Sequence, residues 1–264
     1  MDCKIIKYIL IIILITFKVN AIEFNGKFIQ GHFIIGKTET NKKIFIDKKE
    51  VKVSEDGFFA FGIEKDRKYD IVITEGDKKI IKKIKKREYK IQRIDGLPEK
   101  KVTPPEEFYV RIKKENKLIV NAREINSDLT FFKEKFILPV DNAIVTGVYG
   151  SQRILNGIPK WPHYGLDFAQ KKGTPIKAMN NGIATLVEND LFYTGATLIF
   201  DHGHGISTLY MHMDQIFVNK GDHVKKGEII GTVGSSGRST GPHLDVRLNW
   251  FGTRLDPATI LNIK

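Results

Sequence analysis

Three short segments in the C-terminal half of the chain carry side chains whose types and spacing suit a metal ion. In His163-Tyr164-Gly165-Leu166-Asp167, an extended strand turns residues 163, 165 and 167 to one face, so His163 and Asp167 can converge on an ion across the bare Gly165. One imidazole nitrogen and one hard carboxylate oxygen suit zinc. In His243-Leu244-Asp245 the same alternation puts His243 and Asp245 on a shared face, and a further histidine, His212, closes Tyr210-Met211-His212. Each motif alone is weak, because a histidine in a strand usually satisfies only a local hydrogen bond. Six of the seven histidines fall in this part of the chain, however, and the three segments come in order within it. An imidazole that is not a ligand also titrates near neutrality, which suits it to moving protons beside an ion. His202 and His204 read as turn residues, His223 as a loop residue, and the isolated His32 as structural.

The elements that must hold these residues are strands. From Phe136 onward, frequent glycines punctuate short apolar pieces such as Ile183-Ala184-Thr185-Leu186-Val187 and Ala196-Thr197-Leu198-Ile199-Phe200, the texture of a strongly turned all-β domain. Between Glu23 and Arg93, β-rich runs such as Phe58-Phe59-Ala60-Phe61 alternate with turn signals such as Glu55-Asp56-Gly57, which predicts a small β-sandwich. Pro104-Pro105-Glu106-Glu107 suits a helix start, and Phe108, Ile112, Ile119 and Ala122 form one apolar stripe behind it. The expected division is a leader at 1–21, a small β-sandwich module at 22–100, a helical linker at 101–136 and the Gly-rich antiparallel domain at 137–264.

The leader is expected from lysines followed by a short apolar run, Tyr8 to Phe17, and small residues placed for cleavage after Ala21. That run is well short of the roughly 18 residues needed to span a bilayer, so membrane contact is expected only if the leader stays uncleaved. Cys3, the single cysteine, precedes the run, which excludes cysteine catalysis and thiolate metal sites from the mature protein. The formal charge is +12, but residues 140–264 hold 12 Lys/Arg against 10 Asp/Glu, so most of the excess lies upstream. An exported basic module meets anionic envelope surfaces rather than nucleic acid, and a lysine-lined sheet edge explains the same run equally well.

Taken together these residues resemble the lysostaphin/LytM-type zinc metallo-endopeptidases, whose domain is the duplicated hybrid motif fold. The likeness runs from about Pro139 to Pro257. It includes Gly150 and Arg153, His163 to Asp167, Gly173-Thr174-Pro175, Tyr210-Met211-His212, Gly221 to Gly227 and Ser239 to Leu244. The resemblance implies that His163 and Asp167 bind one zinc ion, that His212 and His243 are catalytic, and that the substrate is the stem peptides or cross-bridges of peptidoglycan. The short leader, with no lipid-attachment cysteine after its apolar run, points to a periplasmic or secreted protein, and the upstream module is open to binding the wall, docking an envelope partner or covering the cleft as a lid. One position departs. The family's last motif ends in His-Leu-His and supplies the third zinc ligand from its final histidine, where this chain has Asp245.

An aspartate oxygen reaches about as far from its backbone as a histidine Nδ1, so Asp245 can complete a three-ligand site. Two carboxylates and one imidazole would neutralise the ion's double charge and weaken its Lewis acidity, which predicts lower activity or another preferred metal. Two other readings compete. A degenerate relative would bind and activate another wall hydrolase, but would usually lose several of these positions. Lys220 to Gly231 also looks like the hairpin of lipoyl or biotinyl carriers, a likeness of fold alone given the leader.

Overall fold

The computed structural model describes residues 22–96 and 99–261; the expected leader at 1–21, with Cys3, lies outside the described residues. The first strands are β1 (Glu23–Asn25), β2 (Phe33–Lys37), β3 (Ile44–Ile46), β4 (Lys49–Val51), β5 (Phe58–Gly62), β6 (Ile71–Glu75) and β7 (Lys78–Lys82). They form two antiparallel sheets, ordered β1-β2-β5 and β4-β3-β6-β7. In β6 the residues Ile71, Ile73 and Glu75 are buried and Val72 and Thr74 less so, the period-2 pattern of a strand with one covered face. Ile34, Phe59 and Phe61 of one sheet share a core with Ile44, Ile71 and Ile73 of the other. That core continues into the downstream part through Ile206, Leu248, Trp250 and Leu255. Arg87 donates to the buried Asp256 carboxylate at 2.6 Å, a second tie between the two parts.

Next comes β8 (Ile91–Ile94), then a short α1 (Glu99–Val102) and the long α2 (Tyr109–Arg123). Beyond these are β9 (Ile144–Gly147), β10 (Gln152–Leu155), β11 (Ile158–Pro159), β12 (Leu166–Ala169), β13 (Pro175–Lys177), β14 (Gly182–Leu191), β15 (Gly195–Gly203) and β16 (Ile206–Ile216). The chain ends with β17 (His223–Val224), β18 (Ile229–Val233), β19 (His243–Trp250), β20 (Thr253–Leu255) and α3 (Ala258–Leu261). The fold is mostly β, as predicted. Its centre is a large antiparallel sheet ordered β17-β14-β15-β16-β19-β12-β9, with β13, β18 and β20 attached. Strand β8 leaves the upstream sheets and pairs in parallel with β10.

Every residue of β15 is buried, so this central strand is covered on both faces, with apolar Leu198, Ile199 and Phe200 at its middle and polar Thr197, Asp201 and His202 buried beside them. Alternate side chains serve different cores. Leu198, Phe200, Tyr210, Leu244 and Val246 point into the larger one, while Ile199, Leu209 and Met211 face the other side. There Leu118, Ile119 and Ala122 of α2 cover them, so the predicted apolar stripe docks its C-terminal part on the sheet. Both strands of the carrier-like segment, β17 and β18, pair with other strands of the large sheet, so the segment is no free-standing hairpin.

His202 is fully buried, with Nδ1 2.7 Å from the Asn181 carbonyl and Nε2 2.8 Å from Thr208 Oγ1. It was expected in a turn but lies inside β15, where both ring nitrogens are used in packing the sheet. Burial pushes its pKa from 6.5 down to about 4, so the folded protein keeps it neutral where the unfolded chain would protonate it. This contribution is complete above pH 6.5 and is lost as pH falls towards about 4. Unfolding free energy measured by denaturant titration is expected to drop by about 1–2 kcal/mol from this residue between pH 6.5 and pH 5. His202→Gln should flatten that slope, and identical slopes in the two proteins would refute the assignment.

Candidate metal centre

The site is built on the face of the large sheet that α2 also covers. Strands β12 and β19 are antiparallel neighbours in a register that sets Asp167 directly opposite Asp245. Across the other edge of β19, Asp245 faces Met211 and Arg247 faces Leu209, which places the site beside the α2-covered core. His163 arrives differently from the sequence expectation. The strand begins only at Leu166, and His163 lies in the preceding loop. Two backbone bonds hold that loop: His163 N to the Ser151 carbonyl at 2.8 Å, and Gly150 N to the His163 carbonyl at 2.7 Å.

His163, Asp167 and Asp245 converge, all three buried, with one ligand atom from each lying within 4.8 Å of the others. His163 Nε2 is 3.1 Å from Asp167 Oδ1 and 3.4 Å from Asp245 Oδ2. A tetrahedral ion with bonds of about 2.0–2.2 Å has ligand edges of about 3.3–3.6 Å, close to both separations. Apart from this approach of His163 Nε2, the buried Asp167 Oδ1 has no hydrogen-bond partner, the state expected of an oxygen reserved for a cation. Burial disfavours charge on both His163 and Asp245, yet the pairing outweighs it. His163 is raised above its usual range by the two carboxylates, and Asp245 is held well below its own by Arg247 and His163. Two buried carboxylates therefore call for positive charge between them, and the three residues fit a small divalent ion.

The carboxylates fit because two glycines make room for them. A Cβ at Gly147, opposite Asp167 on β9, would overlap the Asp167 carboxylate, and one at Gly165 would overlap Asp245 Oδ1. Gly165 was expected to stay bare so that His163 and Asp167 could meet across it; in the structure its bareness admits Asp245. Each carboxylate also has a guanidinium. Arg153 Nη2 donates to Asp167 Oδ2 at 3.0 Å and Arg247 Nη2 to Asp245 Oδ2 at 3.0 Å.

His212 and His243 stand beside this cluster with ring centroids 4.8 Å apart. Regular alternation along β16 would send His212 with Tyr210 into the core. Instead the β15–β16 register shifts between Ala196 and Leu198, and His212 adopts a φ of 61°, which brings its ring to the site. A positive φ at a non-glycine residue stores strain that the surrounding structure must hold. Its Nδ1 lies 2.8 Å from the Ser236 carbonyl and that of His243 lies 2.8 Å from the Gly241 carbonyl. A carbonyl only accepts, so both Nδ1 atoms carry the proton and both rings present Nε2 as a lone pair. Burial lowers the His212 pKa to about 4, which keeps it neutral. His243 Nε2 is 3.9 Å from Asp167 Oδ1.

The cleft above these rings has a volume of about 300 Å³. Its walls include Thr146 of β9, Arg153, and Arg238 to His243, together with Gln92 and Ile94 of β8. Arg238 lies over the Tyr193 ring at 4.4 Å. The structure brings together the five residues singled out in the sequence, His163, Asp167, Asp245, His212 and His243, and adds Gln92, Ile94, Arg238 and Arg247, which were not singled out. Of these only Arg247 left a signal, standing two residues beyond Asp245 on the same strand face. Among the remaining histidines, His204 packs on the Phe132 ring at 4.8 Å and His223 sits in the short β17, so neither joins the site.

Gly147→Ala tests the fit directly, because φ there is ordinary and the three atoms nearest the added methyl all belong to the Asp167 side chain. The purified variant is expected to keep its far-ultraviolet circular dichroism and to lose at least tenfold in zinc affinity. Affinity equal to the wild type would show that Asp167 is not held as a ligand.

The profile of Peptidase family M23 matches residues 161–257. Over 87 residues the chain is 40% identical to the peptidoglycan DD-endopeptidase ShyA of Vibrio cholerae, covering 33% of this chain and 20% of ShyA. Over 98 residues it is 39% identical to the DD-carboxypeptidase/endopeptidase Mpg of Neisseria meningitidis, covering 37% and 22%. The aligned region thus spans about a fifth of the length of these curated relatives. A solved structure from Pseudomonas aeruginosa assigned to peptidase M23 superposes with a TM-score of 0.66 at 26% identity, over 89% of this chain and 95% of that one. The ordered motifs, the buried His/Asp/Asp cluster and these likenesses agree: residues 161–257 of this chain match Peptidase family M23.

Proposed function

We propose that the protein is an exported zinc metallo-endopeptidase that hydrolyses the peptide cross-links of peptidoglycan. The observation that carries this reading is the convergence of His163, Asp167 and Asp245 beside two imidazoles whose Nε2 atoms are free to accept a proton. His163, Asp167 and Asp245 would hold zinc, which when bound would supply Lewis acidity toward the scissile carbonyl and lower the pKa of a bound water. The chain's own residues do the rest. With Nδ1 fixed to a carbonyl, one of His212 and His243 would take the water's proton at Nε2 and pass it to the leaving amine nitrogen, while the other, carrying at Nε2 a proton taken from solvent, would donate a hydrogen bond to the oxyanion and keep that proton.

The substrate class is supported by the names of the relatives ShyA and Mpg, both of which act as endopeptidases. Export and a periplasmic or secreted location rest on the leader expected at 1–21, and contact with an envelope partner would fall to the upstream strands. The orientation of Asp245 towards His163 supports the enzyme reading over the activator reading, which fits a chain whose third ligand turns away.

Peptidoglycan incubated with the purified protein is expected to release new peptide ends, to stop doing so in a chelator and to resume when zinc is returned. His212→Ala should lower kcat by about 10²–10⁴ at unchanged zinc content. Cleavage that survives the chelator would overturn the metal mechanism, and a folded, zinc-loaded protein that cuts nothing would favour the activator reading.

A further inference from the structure

Asp245 does not stand alone in its strand. Arg247, two residues on and on the same face of β19, donates from Nη2 to Asp245 Oδ2 at 3.0 Å, with Nε 3.4 Å from Oδ1. The Asp245 side chain is 2% exposed and that of Arg247 24%, so the two charges meet largely out of water. Arg247 is held there by its surroundings. Its Cγ lies against the bare Gly165, and it sits opposite Leu209 in the β16–β19 register.

The charges can be counted. His163, Asp167 and Asp245 bring a formal −2 to the ion, where a set of two imidazoles and one carboxylate brings −1. Adding the Arg247 guanidinium returns the group to −1. Arg153 stands apart from this count, since it pairs with Asp167, the carboxylate that both sets share. A carboxylate that accepts from a fixed guanidinium is also a weaker donor to a metal, because the groups behind a ligand set its basicity and orientation.

We propose that Arg247 is a positioning residue whose charge offsets the aspartate in the third ligand place, so that a His/Asp/Asp site presents the ion with the electrostatics of a His/His/Asp site. This rests on the zinc reading above. It reverses the expectation, drawn from the ligands alone, that two carboxylates must leave a poorly acidic ion. Residues 245 and 247 then form one unit, and neither can be exchanged for the other set's residue by itself.

The experiment is a swap cycle read by zinc affinity, in competition with a chromophoric chelator, alongside circular dichroism and cleavage kinetics. Asp245→His leaves a guanidinium without its carboxylate beside the ion, and is expected to weaken zinc binding at least tenfold. The double variant Asp245→His, Arg247→Gln should return to within about threefold of the wild type. Asp245→His, Arg247→Lys, which keeps the charge, should stay as weak as Asp245→His. Arg247→Gln alone, with Asp245 in place, should bind zinc at least as tightly as the wild type and turn over about tenfold more slowly at unchanged KM. Equal affinity of Asp245→His and the wild type would overturn the proposal, as would an Arg247→Gln single variant that matches the wild type in both affinity and kcat. A wild-type protein that holds no zinc would remove the metal reading itself, an outcome distinct from one in which zinc binds and Arg247 is indifferent.

Discussion

Two carboxylates placed directly opposite each other on neighbouring strands repel, and in a buried setting the repulsion is severe. The Asp167–Asp245 pair of β12 and β19 is such a placement, and much of the surrounding structure answers it. Arg153 and Arg247 each take one carboxylate, His163 reaches between them from a loop pinned by two backbone bonds, and two glycines clear the space. Beyond the approach of His163 Nε2, these devices leave Asp167 Oδ1 without a hydrogen-bond partner, at the place where the three ligand atoms converge. A divalent ion completes the balance that the side chains begin. The same register therefore sets the cost of the site and its affinity for a cation.

The imidazoles obey a second constraint. A proton acceptor beside an ion must not become another ligand, so its distance and its tautomer both have to be fixed. Carbonyls of the 236–241 loop fix the tautomer of both rings, and the strained φ of His212 sets its ring beside His243 instead of in the core. That strain is held by its neighbours, since His212 N donates to the Thr194 carbonyl at 2.9 Å and the flanking Met211 and Met213 are buried.

How much of this was legible in the sequence follows from which interactions are local. Alternation within one strand put His243 and Asp245 on one face, as β19 does, and the apolar stripe of α2 announced a helix docked on a neighbour, which the structure shows to be the large sheet. Alternation failed at His163, where the strand starts late, and it could not anticipate His212, whose direction depends on a bulge set by the neighbouring strand. The meeting of Asp167 with Asp245 is a matter of register between segments far apart in sequence, for which the residue types alone gave only a hint. Arg247 could have been noticed, since an acid followed two residues later by a base on one strand face is a local pattern. Its meaning needed the burial that only the fold supplies.

Strand β8 was the least legible element, and its position bears on the whole molecule. Composition places a boundary near residue 100, yet packing crosses it. Strand β8 adds to β10, Gln92 and Ile94 stand in the cleft wall, and the upstream core runs on into Ile206, Leu248 and Trp250. Stripping away the residues before the linker would expose that edge of β10 and uncover apolar side chains at one end of the large sheet. The Arg87–Asp256 pair would also be broken, leaving a buried carboxylate without its guanidinium. The strands that carry the ligands are thus braced from outside the matched 161–257 region, and the geometry of the site is a property of the longer chain.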